Sequence, residues 1–338
     1  MQIAIIGTGA VAVHHALAIQ EVTGAELRGV ASRSAEKAHT FSERFGARLY
    51  NTVDQVFEDP AVQLVILCTY PDSHYPLALG AASRRKHVLV EKPLAVTVET
   101  GQAIVDTCRK AGVTLAVVSQ KRFADGPAFL KKALAEGRLG KLLQADAYMK
   151  WYREPAYYAR RGKGTWEVEG GGAIINQAIH QVDLLRYLAG QVKSLRCMWQ
   201  LGGLHAIESE DSACVLMRYA SGATGVIQAS TALYPGFPDR LELHGTKGSV
   251  VTEGDFLKSW DVQDAPKPPA ELFKQAGVGA SKPMDIPVEP FKRQLINVIG
   301  AIEQGREPLV SGEEGLETLR LVIAMYQSAR ANRDVEIG

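Results

Sequence analysis

Residues 2–20 read QIAIIGTGAVAVHHALAIQ, and this stretch decides the fold. Gln2–Ile6 is a short apolar run that Gly7 stops, and Val11–Gln20 has the composition of a helix. Between them lies Gly7-Thr8-Gly9-Ala10-Val11-Ala12, a G-x-G-x-x-A at a strand-to-helix junction. Each position has a physical reason. Gly7 permits the tight turn, Gly9 lets backbone approach a pyrophosphate, and Ala12 keeps the helix close to the sheet. The helix N-terminus then stabilises the anion. A glycine pattern alone is weak; its place at the head of a βαβ unit gives it meaning.

The rest of the first third repeats the alternation. Strands are expected at Glu26–Ala31, Leu64–Cys68, Val88–Val90 and Thr114–Val118. Helices fall between them, over about Ser34–Phe45, His74–Arg84 and Thr97–Lys110. Leu64–Cys68 is unbroken apolar sequence, as in a strand buried on both faces of a parallel sheet. The expectation is an α/β Rossmann domain, a doubly wound parallel sheet, over residues 1–120.

After Lys121 the pattern changes. Helices are expected at Gly126–Glu136 and Ile174–Leu188, and a strand at Leu143–Lys150. Strands then follow one another at Ser194–Gln200, Ala213–Tyr219, Thr224–Ser230, Arg240–His244 and Ser249–Thr252. Ala220-Ser221-Gly222 reads as a hairpin turn. Asp261–Pro290, rich in Pro, Gly and Lys, reads as a loop or insertion. Two helices close the chain, the last with Ser311 and Glu314 in capping-box spacing. Residues 121–338 are thus expected to form an α+β domain with a large, mostly antiparallel open sheet.

Composition narrows the function classes. The chain has 338 residues, 46% hydrophobic and 22% charged, with a net charge of +1. Such a balance gives no reason to expect nucleic acid as a partner. No apolar run is long enough to span a bilayer, so no membrane partner is expected, and no secretory leader is recognisable, which points to the cytoplasm. The four cysteines, Cys68, Cys108, Cys197 and Cys214, are far apart, which predicts buried apolar side chains and no metal site.

Two further features bear on chemistry. An acidic residue is expected at the end of the second strand if a ribose 2′-hydroxyl is bound. Here Ser32 and Arg33 stand there, with Lys37 one helical turn on. A hydroxyl and two cations favour NADP over NAD; the alternative is that Arg33 stacks on an adenine or is a solvated loop charge. Glu91-Lys92-Pro93 follows the fourth strand, at the carboxyl end of the sheet where ligands of such folds bind. Lys92 is well placed there to reach a substrate oxygen.

In order, the G-x-G-x-x-A, Thr69–Pro71 with His74, His87–Pro93 with its Glu-Lys-Pro, Gly170-Gly171-Gly172 followed by His180 and Asp183, and Gly245–Gly248 resemble one family over nearly the whole chain. It is the glucose–fructose oxidoreductase/inositol dehydrogenase (Gfo/Idh/MocA) family. The resemblance implies interconversion of a secondary alcohol and a ketone on a small-molecule sugar, polyol or sugar derivative. It makes Lys92 and His180 the catalytic pair and extends the cofactor contacts to Thr69, Tyr70, Pro71, His74, Glu91, Lys92 and Gln120. Hydride transfer from an alcohol needs a proton acceptor, and histidine titrates in the right range. A lysine cation stabilises the developing alkoxide.

Many members carry an aspartate four residues before the histidine; this chain has Asn176, which shares a helix face with His180 and can hold substrate but supplies no carboxylate. Asp183 can orient the imidazole or serve the helix, the second being favoured. Residues 150–166 hold Lys150, Arg153, Arg160, Arg161 and Lys163 among Trp151, Tyr152, Tyr157, Tyr158 and Trp166. Aromatic faces suit sugar rings and guanidinium forks suit carboxylate or phosphate, so Lys150, Arg153, Tyr158 and Trp166 are expected to join Asn176 and His180 at the substrate. The open sheet and the resemblance predict a homodimer or homotetramer. Two alternatives remain: a hydrolase that uses nicotinamide transiently, and a non-catalytic nucleotide-sensing regulator.

Overall fold

A computed structural model describes residues 1–274 and 287–337. The chain forms two compact units. The first comprises Met1–Gln120 and Lys282–Leu319; the second comprises Lys121–Ser281 and Arg320–Gly338.

In the first unit the order is β1 (Gln2–Ile6), α1 (Ala10–Gln20), β2 (Glu26–Ala31), α2 (Ala35–Phe45), β3 (Arg48–Leu49), α3 (Val53–Glu58), β4 (Leu64–Leu67), α4 (His74–Ser83), β5 (His87–Val90), α5 (Val98–Ala111) and β6 (Leu115–Val117). The six strands are parallel, in the order β3-β2-β1-β4-β5-β6. This is the doubly wound arrangement, with its reversal between β1 and β4. Ile3, Ile5, Leu64, Leu67 and Val88 are fully buried, each contributing about 1.5–3 kcal/mol for its transfer from water. Caps set the helix starts. The Ser34 side chain accepts from Lys37 N, and Thr97 from Thr100 N, satisfying donors that a helix leaves unpaired.

The second unit contains α6 (Asp125–Ala135), β7 (Leu142–Lys150), α7 (Pro155–Tyr158), a π-helical turn (Ala173–Ala178), α8 (Ile179–Ala189), β8 (Val192–Leu201), β9 (Glu210–Tyr219), β10 (Thr224–Ser230), β11 (Arg240–Gly245), β12 (Gly248–Glu253) and β13 (Phe256–Val262). Then come α9 (Glu289–Gln304), within the first unit, and α10 (Gly312–Ala331), which begins in the first unit and ends in the second. β14 (Val335–Glu336) completes an eight-stranded sheet, β13-β12-β11-β7-β10-β9-β8-β14. All its pairings are antiparallel except β7 with β10. α8 lies against β7. On β9, buried Ala213, Val215 and Met217 alternate with exposed Cys214, Leu216 and Arg218, the signature of a sheet with one covered face.

Four differences from the sequence reading have physical causes. The residues around α9 join the first unit, not the second domain in which 121–338 would place them. Phe291, Leu295 and Val298 of α9 enter the core cluster of α1 and the parallel strands, and Gln294 bonds Ser119 N (3.1 Å) and Val117 O (2.8 Å) at the end of β6. β13 runs on to Val262 and α9 begins at Glu289, so the stretch Asp261–Pro290 is not all loop; its residues 275–286 lie outside the described residues. The helix expected to start at Ile174 begins instead with a π-helical turn. Finally, Cys68, Cys108 and Cys197 are buried, but Cys214 is exposed because it falls on the open side of β9.

The hairpin at Gly222 forms as read, with Gly222 N donating to Tyr219 O at 2.9 Å and φ of +89°. Ser311 Oγ accepts from Glu314 N (3.3 Å) at the head of α10. Among the described residues no helix is long and apolar enough to cross a membrane.

Candidate functional site

The first unit builds a cradle at the turn between β1 and α1. Gly7 has φ of +101°, and a Cβ there would lie 2.4 Å from the Cys68 carbonyl oxygen. Only glycine fits, because both the backbone conformation and the neighbouring strand exclude a side chain. Gly9 is different. It is exposed, and a Cβ there would meet no atom within 4 Å. Its openness leaves the N-terminus of α1, where Ala10 is exposed and Val11 half-buried, accessible to an anion. Ala12 is fully buried against the sheet.

The end of β2 lies beside this turn. Gly7 N donates to Ala31 O (2.8 Å) and Thr8 Oγ1 donates to Ser32 Oγ (3.1 Å). Arg33 and Lys37 are exposed, and neither forms an ion pair among the described residues. Gln120, 5% exposed, leaves Oε1 buried without a hydrogen-bond partner. A buried acceptor of this kind fits an N–H from a bound group. The open glycine turn, the helix N-terminus and this orphaned amide together suit a dinucleotide.

Lys92 is held by residues that composition alone did not single out. Glu91 is buried, and its Oε1 accepts from His15 Nε2 of α1 at 2.9 Å while Oε2 accepts from the backbone N–H of Lys92 at 3.2 Å. Burial alone would raise the Glu91 carboxyl; the His15 bond and the nearby Lys92 charge more than offset it and hold it below the usual range. Glu91 N also donates to Leu67 O (3.0 Å). Glu91 thus helps to fix its own loop. His74 has a similar place. It is fully buried, with Nδ1 3.0 Å from Pro93 O and Nε2 3.3 Å from Thr69 O. Burial depresses its pKa, and its ring lies between the loops after β4 and β5. Ser73 Oγ donates to Tyr70 O (2.7 Å) in the short turn that also carries Pro71. Lys92 itself is half-buried, and the Lys92–Pro93 peptide is cis.

In the second unit, Asn176 and His180 are both half-buried, Asn176 in the π-helical turn and His180 in the first turn of α8. Their neighbours along the helix are anchored by charge. Arg122 grips Asp183 with two bonds, Nε to Oδ2 at 2.8 Å and Nη2 to Oδ1 at 2.6 Å, with its guanidinium 4.6 Å over the Tyr187 ring. A bidentate buried pair of this kind fixes orientation strongly. Both carboxylate oxygens of Asp183 are therefore engaged in helix packing. Gln181 Nε2 donates to Asp239, which also accepts from Lys121 Nζ at 2.6 Å. Burial alone would lower the Lys121 pKa; Asp239 and Asp255 reverse that and raise it.

The basic and aromatic stretch after β7 divides. Arg153 stacks 5.0 Å over Trp151 and 5.5 Å over Tyr157, and burial lowers its pKa. Tyr157 Oη also accepts from Gln177 Nε2 (3.1 Å), next to Asn176 in sequence. Tyr158 is hydrogen-bonded to Thr231 (2.8 Å) and packs against the His205 ring, tilted, at 4.5 Å between centroids. Trp166 packs edge-on to Tyr326 at 5.1 Å, and Lys150 lies 5.4 Å over Tyr148 on the sheet. Arg153, through Tyr157 and Gln177, is thus linked to the helix of Asn176 and His180. Tyr158, Trp166 and Lys150 have protein partners of their own.

A trio on β7 and β11, Asp146, Glu242 and His244, has ligand atoms within 4.8 Å of one another. Both Asp146 oxygens already accept, from Val226 N (2.8 Å) and Gln144 Nε2 (2.7 Å), and Glu242 pairs with Arg240 at 2.7 Å. His244 Nδ1 lies 2.8 Å from Ser249 Oγ, so each member of the trio has a partner elsewhere on the sheet.

Residues 1–119 match the oxidoreductase family with an NAD-binding Rossmann fold, and residues 128–251 match the GFO/IDH/MocA C-terminal domain. The chain belongs to the GFO/IDH/MocA family. It is an oxidoreductase whose first unit is an NAD-binding Rossmann fold. A myo-inositol 2-dehydrogenase from Thermotoga maritima is 27% identical over 354 residues, spanning 100% of this chain and 98% of its own. The WlbA dehydrogenase from Bordetella pertussis, solved with NADH and UDP-GlcNAcA, is 29% identical with a TM-score of 0.88, over 100% of this chain and 98% of its own. The WlbA dehydrogenase from Chromobacterium violaceum, solved with the same two molecules, is 31% identical with a TM-score of 0.88, over 100% and 96%.

Sequence reading missed His15, Glu210 and Tyr326. His14-His15 inside an apolar helix and Glu210-Asp211 at the head of a strand were the available signals, since buried charge is rare without a partner.

Proposed function

We propose that the protein interconverts a secondary alcohol and a ketone on a sugar, polyol or sugar derivative, with Lys92 and His180 as its catalytic groups. The observation that carries the reading is the anchoring of Lys92: a buried Glu91–His15 pair holds its backbone at the carboxyl end of the parallel sheet. The bound nicotinamide supplies the hydride acceptor or donor. Lys92 orients the substrate oxygen and stabilises negative charge that develops on it. His180 takes the hydroxyl proton in oxidation and returns it in reduction. Asn176 offers a hydrogen bond to substrate.

The relatives named above act on a polyol or were solved with a nucleotide sugar acid. Arg153, with the exposed Arg160 and Arg161, favours a substrate bearing carboxylate or phosphate. A panel of myo-inositol, neutral sugars, sugar acids and UDP-GlcNAcA, assayed for reduced-nicotinamide absorbance with both cofactors, identifies the substrate. With that substrate, Lys92→Ala lowers turnover roughly a hundredfold or more and His180→Asn by a similar factor, while fluorescence titration shows cofactor affinity retained. Normal turnover in either variant would remove that residue from the mechanism.

NADP is the preferred cofactor in this reading. Ser32 places no carboxylate at the ribose, and Arg33 with Lys37 supplies positive charge for a 2′-phosphate. A charge-assisted bond of about 1.5–3 kcal/mol corresponds to roughly a tenfold to hundredfold change in affinity. Arg33→Ala is therefore expected to lose kcat/KM for NADP(H) by that factor and much less for NAD(H). Equal losses would mean that Arg33 only stacks on adenine.

The protein assembles as a homodimer or homotetramer through the open face of its eight-stranded sheet. Met198 is 68% and Leu216 62% exposed there, beside exposed Cys214. Exposed apolar surface of this kind is what subunit interfaces cover. Light scattering at micromolar concentration should give a multiple of the chain mass for the wild type and a smaller assembly for Leu216→Glu. A wild-type monomer contradicts the assignment.

A further inference from the structure

The glycine run ahead of His180 is crowded on one side. A Cβ on Gly171, whose φ is +147°, would lie 2.3 Å from the Tyr326 hydroxyl. One on Gly172 would lie 1.9 Å from the Glu210 backbone oxygen. The groups that approach so closely are the buried Tyr326 phenol and the backbone of Glu210, whose side-chain carboxylate is also buried. Glu210, at the head of β9, accepts from Gly172 N at 3.0 Å and Ile174 N at 2.8 Å. The Tyr326 hydroxyl donates to Glu210 Oε1 at 2.9 Å and accepts from Ile175 N at 3.2 Å.

Backbone donors at a helix start have no partner within the helix, and leaving one buried and unpaired costs about 1–3 kcal/mol. Here three such donors converge on two side chains from distant parts of the chain. The phenol is itself fixed, packed against Trp166 at 5.1 Å and Trp199 at 5.8 Å, with the Arg330 guanidinium 4.5 Å over Trp166. Burial pushes the Glu210 carboxyl up to about 7.

The segment that this pair secures is the π-helical turn Ala173–Ala178. A π turn carries one residue more than an α turn. Were it to relax to α geometry, Asn176 would rotate by about 100° relative to the helix that follows. We propose that Glu210 and Tyr326 are positioning residues that hold the π turn and thereby set the placement of Asn176 and His180. The inference rests on the reading of His180 as the acid/base group. It also accounts for Gly171 and Gly172 as residues of close approach, and gives Trp166 a part in securing Tyr326.

The test uses 15N-histidine-labelled protein, with His180→Asn identifying the His180 ring signals. Tyr326→Phe removes one hydroxyl; Glu210→Gln places an amide N–H₂ against backbone donors and is the harsher change. In Tyr326→Phe the His180 ring signals are expected to move while those of exposed His39, in the other unit, do not. With the substrate identified by the panel, kcat falls about tenfold to a hundredfold, as small misplacement of a reacting group allows. NAD(H) affinity changes little, and the melting temperature drops modestly because the buried Ile175 N–H loses its acceptor. If Glu210→Gln does not fold, Tyr326→Phe decides alone. Unmoved His180 signals with undiminished kcat in folded Tyr326→Phe overturn the inference. Full turnover by His180→Asn overturns instead the reading on which it rests, so the two failures are distinct.

Discussion

The approach of the Cys68 carbonyl to Gly7 is the constraint on which the rest of the first unit depends. β1 and β4 are neighbours at the centre of the parallel sheet, and the chain leaving β1 must turn at once beneath the end of β4. With φ of +101° and no room for a Cβ, Gly7 is the residue that permits the turn. The turn starts α1 at Ala10 and leaves Gly9 open. It also sets His15, farther along α1, against Glu91 at the end of β5. One backbone requirement therefore shapes the anion cradle and, through Glu91, the loop that carries Lys92.

Both units hold proposed reactive groups by buried polar anchors. Lys92 sits on a loop tied by Glu91, His15 and His74. His180 sits on a helix secured by the Arg122–Asp183 pair, by Gln181 through Asp239, and by Glu210 and Tyr326 at its start. Half-satisfied networks of this kind are costly, and satisfied ones specify a single geometry.

The sequence made the parallel sheet legible because its signals are local. Gln2–Ile6 and Leu64–Leu67 are strand runs, and the glycine turn sits between a strand and a helix. Elements without a local signal were missed. β3 is two residues long and β14 likewise, and each exists only through a partner distant in sequence, β2 and β8. α9 was read as a helix, but its place beside α1 is a long-range packing choice that no periodicity encodes. In the candidate site, motif residues such as Gly7, Gly9, Lys92 and His180 were readable. Their anchors were not, because His15, Arg122, Glu210 and Tyr326 matter through partners 36 to 151 residues away in sequence. The π turn was invisible for the same reason: Ala173–Ala178 has ordinary helical composition, and the distortion is set by Glu210 and Tyr326.

The most direct test of the account is a fluorescence titration of NADH against the wild type and Gly9→Val. Gly9 has φ of −70°, and a Cβ there meets no protein atom within 4 Å, so the fold accommodates the larger side chain and the melting curve should be unchanged. The added methyls occupy the space where a pyrophosphate would approach the helix N-terminus. Saturable binding by the wild type and its loss in a folded Gly9→Val is the predicted result. Equal affinity in the two proteins would contradict the placement of the dinucleotide on the Gly7–Ala12 turn.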